Sequence, residues 1–395
     1  MALTHRARLL AAIRGEPVDQ VPWAPRMDLW CLAQRARGTL PPEFAGLDTA
    51  GIADVLGFGC HAVRADFTRP RERREQQLRG LGFDNHPDYP YRVEVRDLPV
   101  EFTHDPENLR TRVRTPAGDV VLHLELTGEM ARNGISIPFV QSYALPALGN
   151  LEAVAQLFEH LVVIPTPDAY ASFQRRIGDR GLAIANGPIA ASPMHLLLHE
   201  LMPMEQFFYL YEDEREQLRG LARRLEPFYE AMLAALLKCS AEVVFWGANY
   251  DQDLTWPPFF QEEIAPWLQR VSRELHAAGK LVLTHCDGEN QRLLPYFPAC
   301  GFDIAESVCP APMTRCTLAQ LRQGFGPRTT VWGGIPSIVL LDAEMDDRAF
   351  AHYLDGVFRE ARTGSHLILG VSDNVPPDVN LSRLTEIGRR CRESS

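Results

Sequence analysis

Along this chain, short apolar runs that end in polar or glycine residues alternate with longer stretches whose apolar positions recur at helical spacing. The runs are "QVPWAPR" (20–26), "GCHAVRA" (59–65), "GLAIANG" (181–187) and "AEVVFWGAN" (241–249), then "GKLVLTHCDG" (279–288), "FDIAESV" (302–308), "TTVWGGIPS" (329–337) and "SHLILGVSDN" (365–374). Most lead into an amphipathic stretch, such as "FFQEEIAPWLQRVSRELHAAG", where Gly279 is a natural helix stop. Strands alternating with helices predict parallel βαβ units, and eight of them predict a closed (β/α)₈ TIM barrel in the α/β class. An open doubly wound sheet is the competitor, but no glycine-rich phosphate fingerprint follows the first run.

One stretch departs from this rhythm. From about 67 to 181, between the second and third strands, the chain is too long for a single crossover. Within it "YRVEVRDL" and "TRVRTPAGDVVLHLEL" alternate apolar and polar positions around a Pro-Ala-Gly turn, which predicts an antiparallel β-ribbon. Helices are expected near 151–160 and 167–178. The whole, 1–395, reads as one barrel domain with an insertion that caps or flanks it.

Composition changes this picture little. The 395 residues carry a net charge of −11, which argues against nucleic-acid binding, a function that needs a basic footprint. No apolar run is long enough for a membrane span, and the N-terminal apolar run is too short for a secretory signal. Eight scattered cysteines do not form a disulfide framework, so the expected setting is a reducing cytoplasm and the expected partner a small-molecule substrate.

Barrel active sites lie at the C-terminal ends of the strands. Those ends offer Arg26 and Asp28, Asn186, then Asn249, Tyr250 and Asp251, then His285, Cys286 and Asp287, then Glu306, Trp332 and Asp373. Side chains two apart on a strand share a face, so His285 and Asp287 point one way and Cys286 the other. His285, Asp287, Glu306 and Asp373 converging from three strands could bind a divalent cation, Zn²⁺ or with this hard ligand set Mn²⁺ or Fe²⁺. His285 acting in acid–base chemistry without metal is an equal alternative. Asp287 before Gly288 also suits a helix cap and Asp373 a turn. His195 and His199 are four apart with Glu200 adjacent, in the wrong order for the zinc-protease pattern. Helix packing is the plainer reading of that pair. "CPAPMTRC" (309–316) lacks the second close cysteine pair of a zinc ribbon, though Cys309 lies three residues past Glu306.

The opening "HRARLLAAIRGEPVDQVPW" (5–23), with "LHAAGKLVLTHCDGENQRLLPYFPACGFDIAES", "VWGGIPS" and "LILGVSDNVPP", resembles the uroporphyrinogen decarboxylase superfamily over nearly the whole chain. That resemblance implies the barrel already argued. It also implies one of two chemistries. The true decarboxylases use no cofactor and hold substrate carboxylates with an Arg-Gln-Ala-Gly-Arg stretch, which here reads Arg26-Met27-Asp28-Leu29-Trp30. The corrinoid-linked methyltransferases, together with cobalamin-independent methionine synthase, bind zinc through a His-x-Cys pair, a Glu in methionine synthase and a late Cys. Those positions correspond to His285, Asp287, Glu306 and Asp373, with carboxylates in place of both thiolates.

The expectation is therefore a metal-dependent methyltransferase acting on a small polar substrate, with a corrinoid protein as the partner the resemblance implies, as a monomer or homodimer. In it His285, Asp287, Glu306 and Asp373 form the centre, with Asp251 a further catalytic candidate. Asn186, Asn249, Tyr250, Asp28 and Trp332 would line the substrate and Arg26 would hold a carboxylate. The alternatives are a cofactor-free decarboxylase acting on a carboxylated substrate, and a non-catalytic corrinoid or tetrapyrrole binder.

Overall fold

A computed structural model describes residues 2–63, 72–362 and 365–394. The start of the insertion expected at 67 therefore lies outside the described residues, as do the last two residues of "GCHAVRA". Among the described residues the insertion carries β1 (Tyr91–Val95), β2 (Val100–His104), β3 (Asn108–Thr115), β4 (Gly118–Glu125), β5 (Phe139–Ser142) and β6 (Leu161–Pro165). The parallel sheet that follows contains β7 (Ala185–Asn186), β8 (Val243–Ala248), β9 (Leu281–His285), β10 (Ile304–Val308), β11 (Thr330–Pro336) and β12 (Leu367–Ser372).

The six strands β7 to β12 form one sheet in chain order, all parallel, with helices between most of them. The first two expected strands join as single parallel bridges, Trp23 to Leu369 and Cys60 to Gly181. Backbone hydrogen bonds extend these bridges. Ala24 N–H donates to Leu369 O, Gly59 N–H to Trp23 O, and Ile184 N–H to Ala62 O.

Two apolar cores lie on the sheet's opposite faces. The smaller takes Ala24, Val63, Leu182, Ile184, Val243, Phe245, Leu283, Ile304, Trp332 and Ile368 from the strand segments, with Leu9, Leu10, Ala12 and Ile13 from the first helix, His5–Arg14. Cys286 belongs to the larger one, with the helices, as strand alternation predicts.

The insertion is richer than a ribbon. The hairpin around Pro116 and Ala117 is present as β3–β4, and β3 buries every second residue. However, β2 and β5 extend it to four antiparallel strands, and "YRVEV" pairs instead with β6, Tyr91 opposite Pro165. Short strands that recruit edge partners from distant sequence leave no local signature. The expected helices are present at Leu151–Glu159 and Pro167–Ile177. "NQRLLPYFPACG" yields only turns and a short helix, Phe297–Cys300, because Pro295 and Pro298 interrupt it.

Candidate active site

Register brings the reactive side chains together. Ala248 on β8 pairs with His285 on β9, His285 with Glu306 on β10, and Glu306 with Trp332 on β11. This row sits one inward-facing step beyond Leu283 and Ile304, which are themselves paired and fully buried. The apolar interior therefore ends where the polar row begins.

Glu306 is the centre of the row and only 3% exposed. His285 Nδ1 donates to its Oε2 at 2.6 Å, and His61 Nε2 to its Oε1 at 3.0 Å. Burial by itself would raise the Glu306 carboxyl, but the charge and hydrogen bonds of His285, then of His61, outweigh it and hold the group well below the usual glutamate range. With Nδ1 committed to the carboxylate, His285 presents Nε2 towards Asp373, whose Oδ1 lies 3.9 Å away. His61 was not singled out in the sequence. Its only signal is that it shares a strand face with Val63, which points into the inner core. Its ring also meets Trp332 edge-on at 5.2 Å.

Arg26, the expected carboxylate anchor, has a different task. Its Nε donates to Asp28 Oδ2 at 3.0 Å and its Nη1 to Asp373 Oδ1 at 2.9 Å. Burial pulls the guanidinium pKa down, but Asp373, Asp28 and Glu306 push it further up, so the cation is permanent. Asp287 is raised, first by burial and then by Asp373 and Glu306, against the pull of His285. Among the described residues no three His, Cys, Asp or Glu side chains are grouped closely enough to hold a metal ion. His285, Asp287, Glu306 and Asp373 are neighbours without converging on one point.

Several expected contributors have structural roles instead. Tyr250 is fully buried and its hydroxyl bonds Thr284 Oγ1 at 2.8 Å, which removes it from substrate contact. The Asp251 carboxylate accepts from the backbone N–H groups of Asp253 and Glu289 and so organises its loop. The Trp332 indole donates to Ala24 O and is 1% exposed, a wall behind His61. Asn186 donates to Gly187 O, while its buried Oδ1 has no hydrogen-bond partner among the described residues. Cys286 is fully buried with its thiol raised by burial, and the Cys309 thiol is likewise pushed up to about 12. His195 is buried and accepts from Ala191 N–H, while burial and then His199 keep its pKa well below the usual value.

Comparison with known proteins gives a likeness of fold. No protein-family profile matches the sequence, and no curated protein matches it. A solved structure of a methyltransferase from Methanosarcina mazei superposes with a TM-score of 0.58 at 16% identity, covering 99% of this chain and 99% of that one. At that identity the likeness speaks for the architecture and leaves the chemistry to the residues.

Proposed function

We propose that the chain is a methyltransferase-like enzyme built on a closed (β/α)₈ barrel, in which His285 handles the proton that accompanies methyl transfer. Three observations support the closed barrel. The bridges at Trp23 and Cys60 continue the sheet between β12 and β7, eight segments feed the inner core, and a methyltransferase shares the fold over its whole length. The observation that carries the function is the buried His61–Glu306–His285 row at the strand ends.

When a nucleophile takes a methyl group, its O–H, N–H or S–H proton must leave as the new bond to carbon forms. His285 Nε2 is placed to accept it, and Glu306 stabilises the imidazolium that results. The same nitrogen returns a proton to the leaving atom when the transfer runs the other way. His61 holds the second Glu306 oxygen and so fixes the carboxylate's rotamer.

A resident metal bound by His285, Asp287, Glu306 and Asp373 fits these residues poorly. Both Glu306 oxygens are taken by imidazoles, and the Asp373 oxygen that faces His285 is taken by Arg26. No step is therefore routed through a metal. The corrinoid partner rests on the sequence resemblance. The decarboxylase alternative loses its anchor, because Arg26 is committed to two aspartates.

The test combines elemental analysis of the purified protein with transfer assays from isotope-labelled methylamines and methyl ethers to a corrinoid acceptor. Methyl transfer should fall by roughly a hundredfold or more in His285→Ala, the usual scale of an acid–base residue. Activity that survives the substitution would sink the assignment. Stoichiometric metal retained by the native protein and lost from that variant would overturn the metal-free arrangement.

A further inference from the structure

A second polar row lies beside His285 at the strand ends, joined to it through the Asn249 backbone. Leu197–Leu201 forms a π-turn that sets His199 and Glu200 side by side, a distortion common at functional positions. His199 Nδ1 meets Glu200 Oε1 at 3.0 Å, and Glu200 is buried with Arg79 at 3.7 Å. His199 Nε2 meets Asn249 Nδ2 at 2.8 Å.

Donor and acceptor roles follow from the chain's end. A carboxylate beside a guanidinium only accepts, so His199 Nδ1 carries the hydrogen between them, and Nε2 is the nitrogen that faces the Asn249 Nδ2. Asn249 must then offer its NH₂ to that nitrogen, and its Oδ1 is turned the other way. Asn249 Oδ1 has no hydrogen-bond partner among the described residues, on a half-buried residue just past β8. The backbone is equally fixed. Asn249 has a φ of 59°, and its N–H donates to His285 O at 3.0 Å, so the carboxamide is tied to the strand end that bears His285.

We propose that Asn249 Oδ1 is a substrate-recognising acceptor, and that the substrate presents an N–H donor to it, best a protonated amine. This rests on the strand ends being the active site, and it names the substrate class for that site. Charge points the same way. Among the described residues, Asp28, Glu306 and Asp373 lie about the Arg26 guanidinium, whose donors are directed at Asp28 and Asp373, and Asp287 lies beside Glu306 and Asp373. Such a mouth attracts cations and repels carboxylates.

The experiment reads binding without turnover, so a failure of the methyl-transfer reading leaves its result intact. Methylammonium, tetramethylammonium and acetate are titrated into the full-length protein, with the Asn249 side-chain amide followed by NMR. Methylammonium should bind about tenfold more tightly than tetramethylammonium, which has the charge and lacks the N–H, and acetate should bind more weakly still. Asn249→Gly suits the positive φ and removes the carboxamide. It should lose that tenfold for methylammonium and leave tetramethylammonium unchanged, with binding then followed by titration calorimetry. Should that variant fail to fold, Glu200→Gln frees the His199 tautomer and should narrow the preference over acetate several-fold. Acetate binding as well as methylammonium, no binding of methylammonium, or a preference untouched in both variants would overturn the proposal.

Discussion

Glu306 carries a charge at 3% exposure, a position that costs several kcal/mol unless the charge is matched. Two imidazoles match it, and its depressed pKa makes it a stabilising group with a definite pH window. A carboxyl lowered in the folded state contributes fully above its unfolded pKa of about 4.3 and loses that contribution as pH falls below it. Glu306→Gln should therefore melt lower than the native protein at pH 7, with the difference shrinking as the pH falls towards 3. A constant difference across that range in thermal melts would show that the charge is not what stabilises the site. That His285 and Glu306 end buried apolar strands was legible in the sequence, because ionisable residues closing such runs are costly unless they are paired. His61 was not, since a lone histidine in a short run says nothing until its partner, 245 residues away in sequence, is found beside it. Arg26 was legible as a cation at a strand end, but its partners were not. Only the fold sets Asp28 and Asp373 against it.

The strand ends share a backbone peculiarity. β8 breaks register between Phe245 and Ala248, and β10 between Glu306 and Val308. Gly247, Asn249, Ser307 and Asp373 all take positive φ there. Such irregularities re-aim side chains where a ladder would otherwise repeat, and their strain persists because the surroundings hold it. At Gly247 the requirement is strictest. Its φ is 80°, and an added Cβ would come within 2.2 Å of the Tyr250 hydroxyl and 2.7 Å of Ala191 Cβ. Gly247→Ala should cost about 2–4 kcal/mol from the left-handed backbone and overpacking together, read as a lower denaturation midpoint. It should also misplace Asn249, so weaker methylammonium binding should accompany it. A variant as stable as the native protein would show that this segment relaxes freely.

Across the whole molecule, the inner core depends on a helix outside the sheet. His5–Arg14 places Leu9, Leu10, Ala12 and Ile13 in one cluster with residues of β8 to β12 and with Ala24, Val63, Leu182 and Ile184. Arg8 on the same helix is tied to Asp19, which is drawn down to about 2, first by that hydrogen bond. The helix closes one end of the apolar interior, while the polar row occupies the other. Ile13→Ala should cost about 2–5 kcal/mol, as for other buried large-to-small changes, and lower the midpoint of unfolding as a whole. A separate early transition confined to the N-terminus would mean that the helix docks independently of the sheet.

The alternation of strand runs and amphipathic stretches was enough to predict a parallel α/β fold, because burial on two faces imposes a period that each segment carries locally. Period-two alternation likewise placed Cys286 in the helix layer and His285 on the opposite face. What the sequence could not decide was pairing. That β1 joins β6, that His61 reaches Glu306 from a segment far away in sequence, and that Asn249 is oriented through His199 and Glu200 are all contacts between distant segments. Their energies depend on distance and burial, quantities that exist only once the chain has folded. Tertiary structure alone therefore turned a list of polar strand ends into one buried His61–Glu306–His285 row with a charged rim.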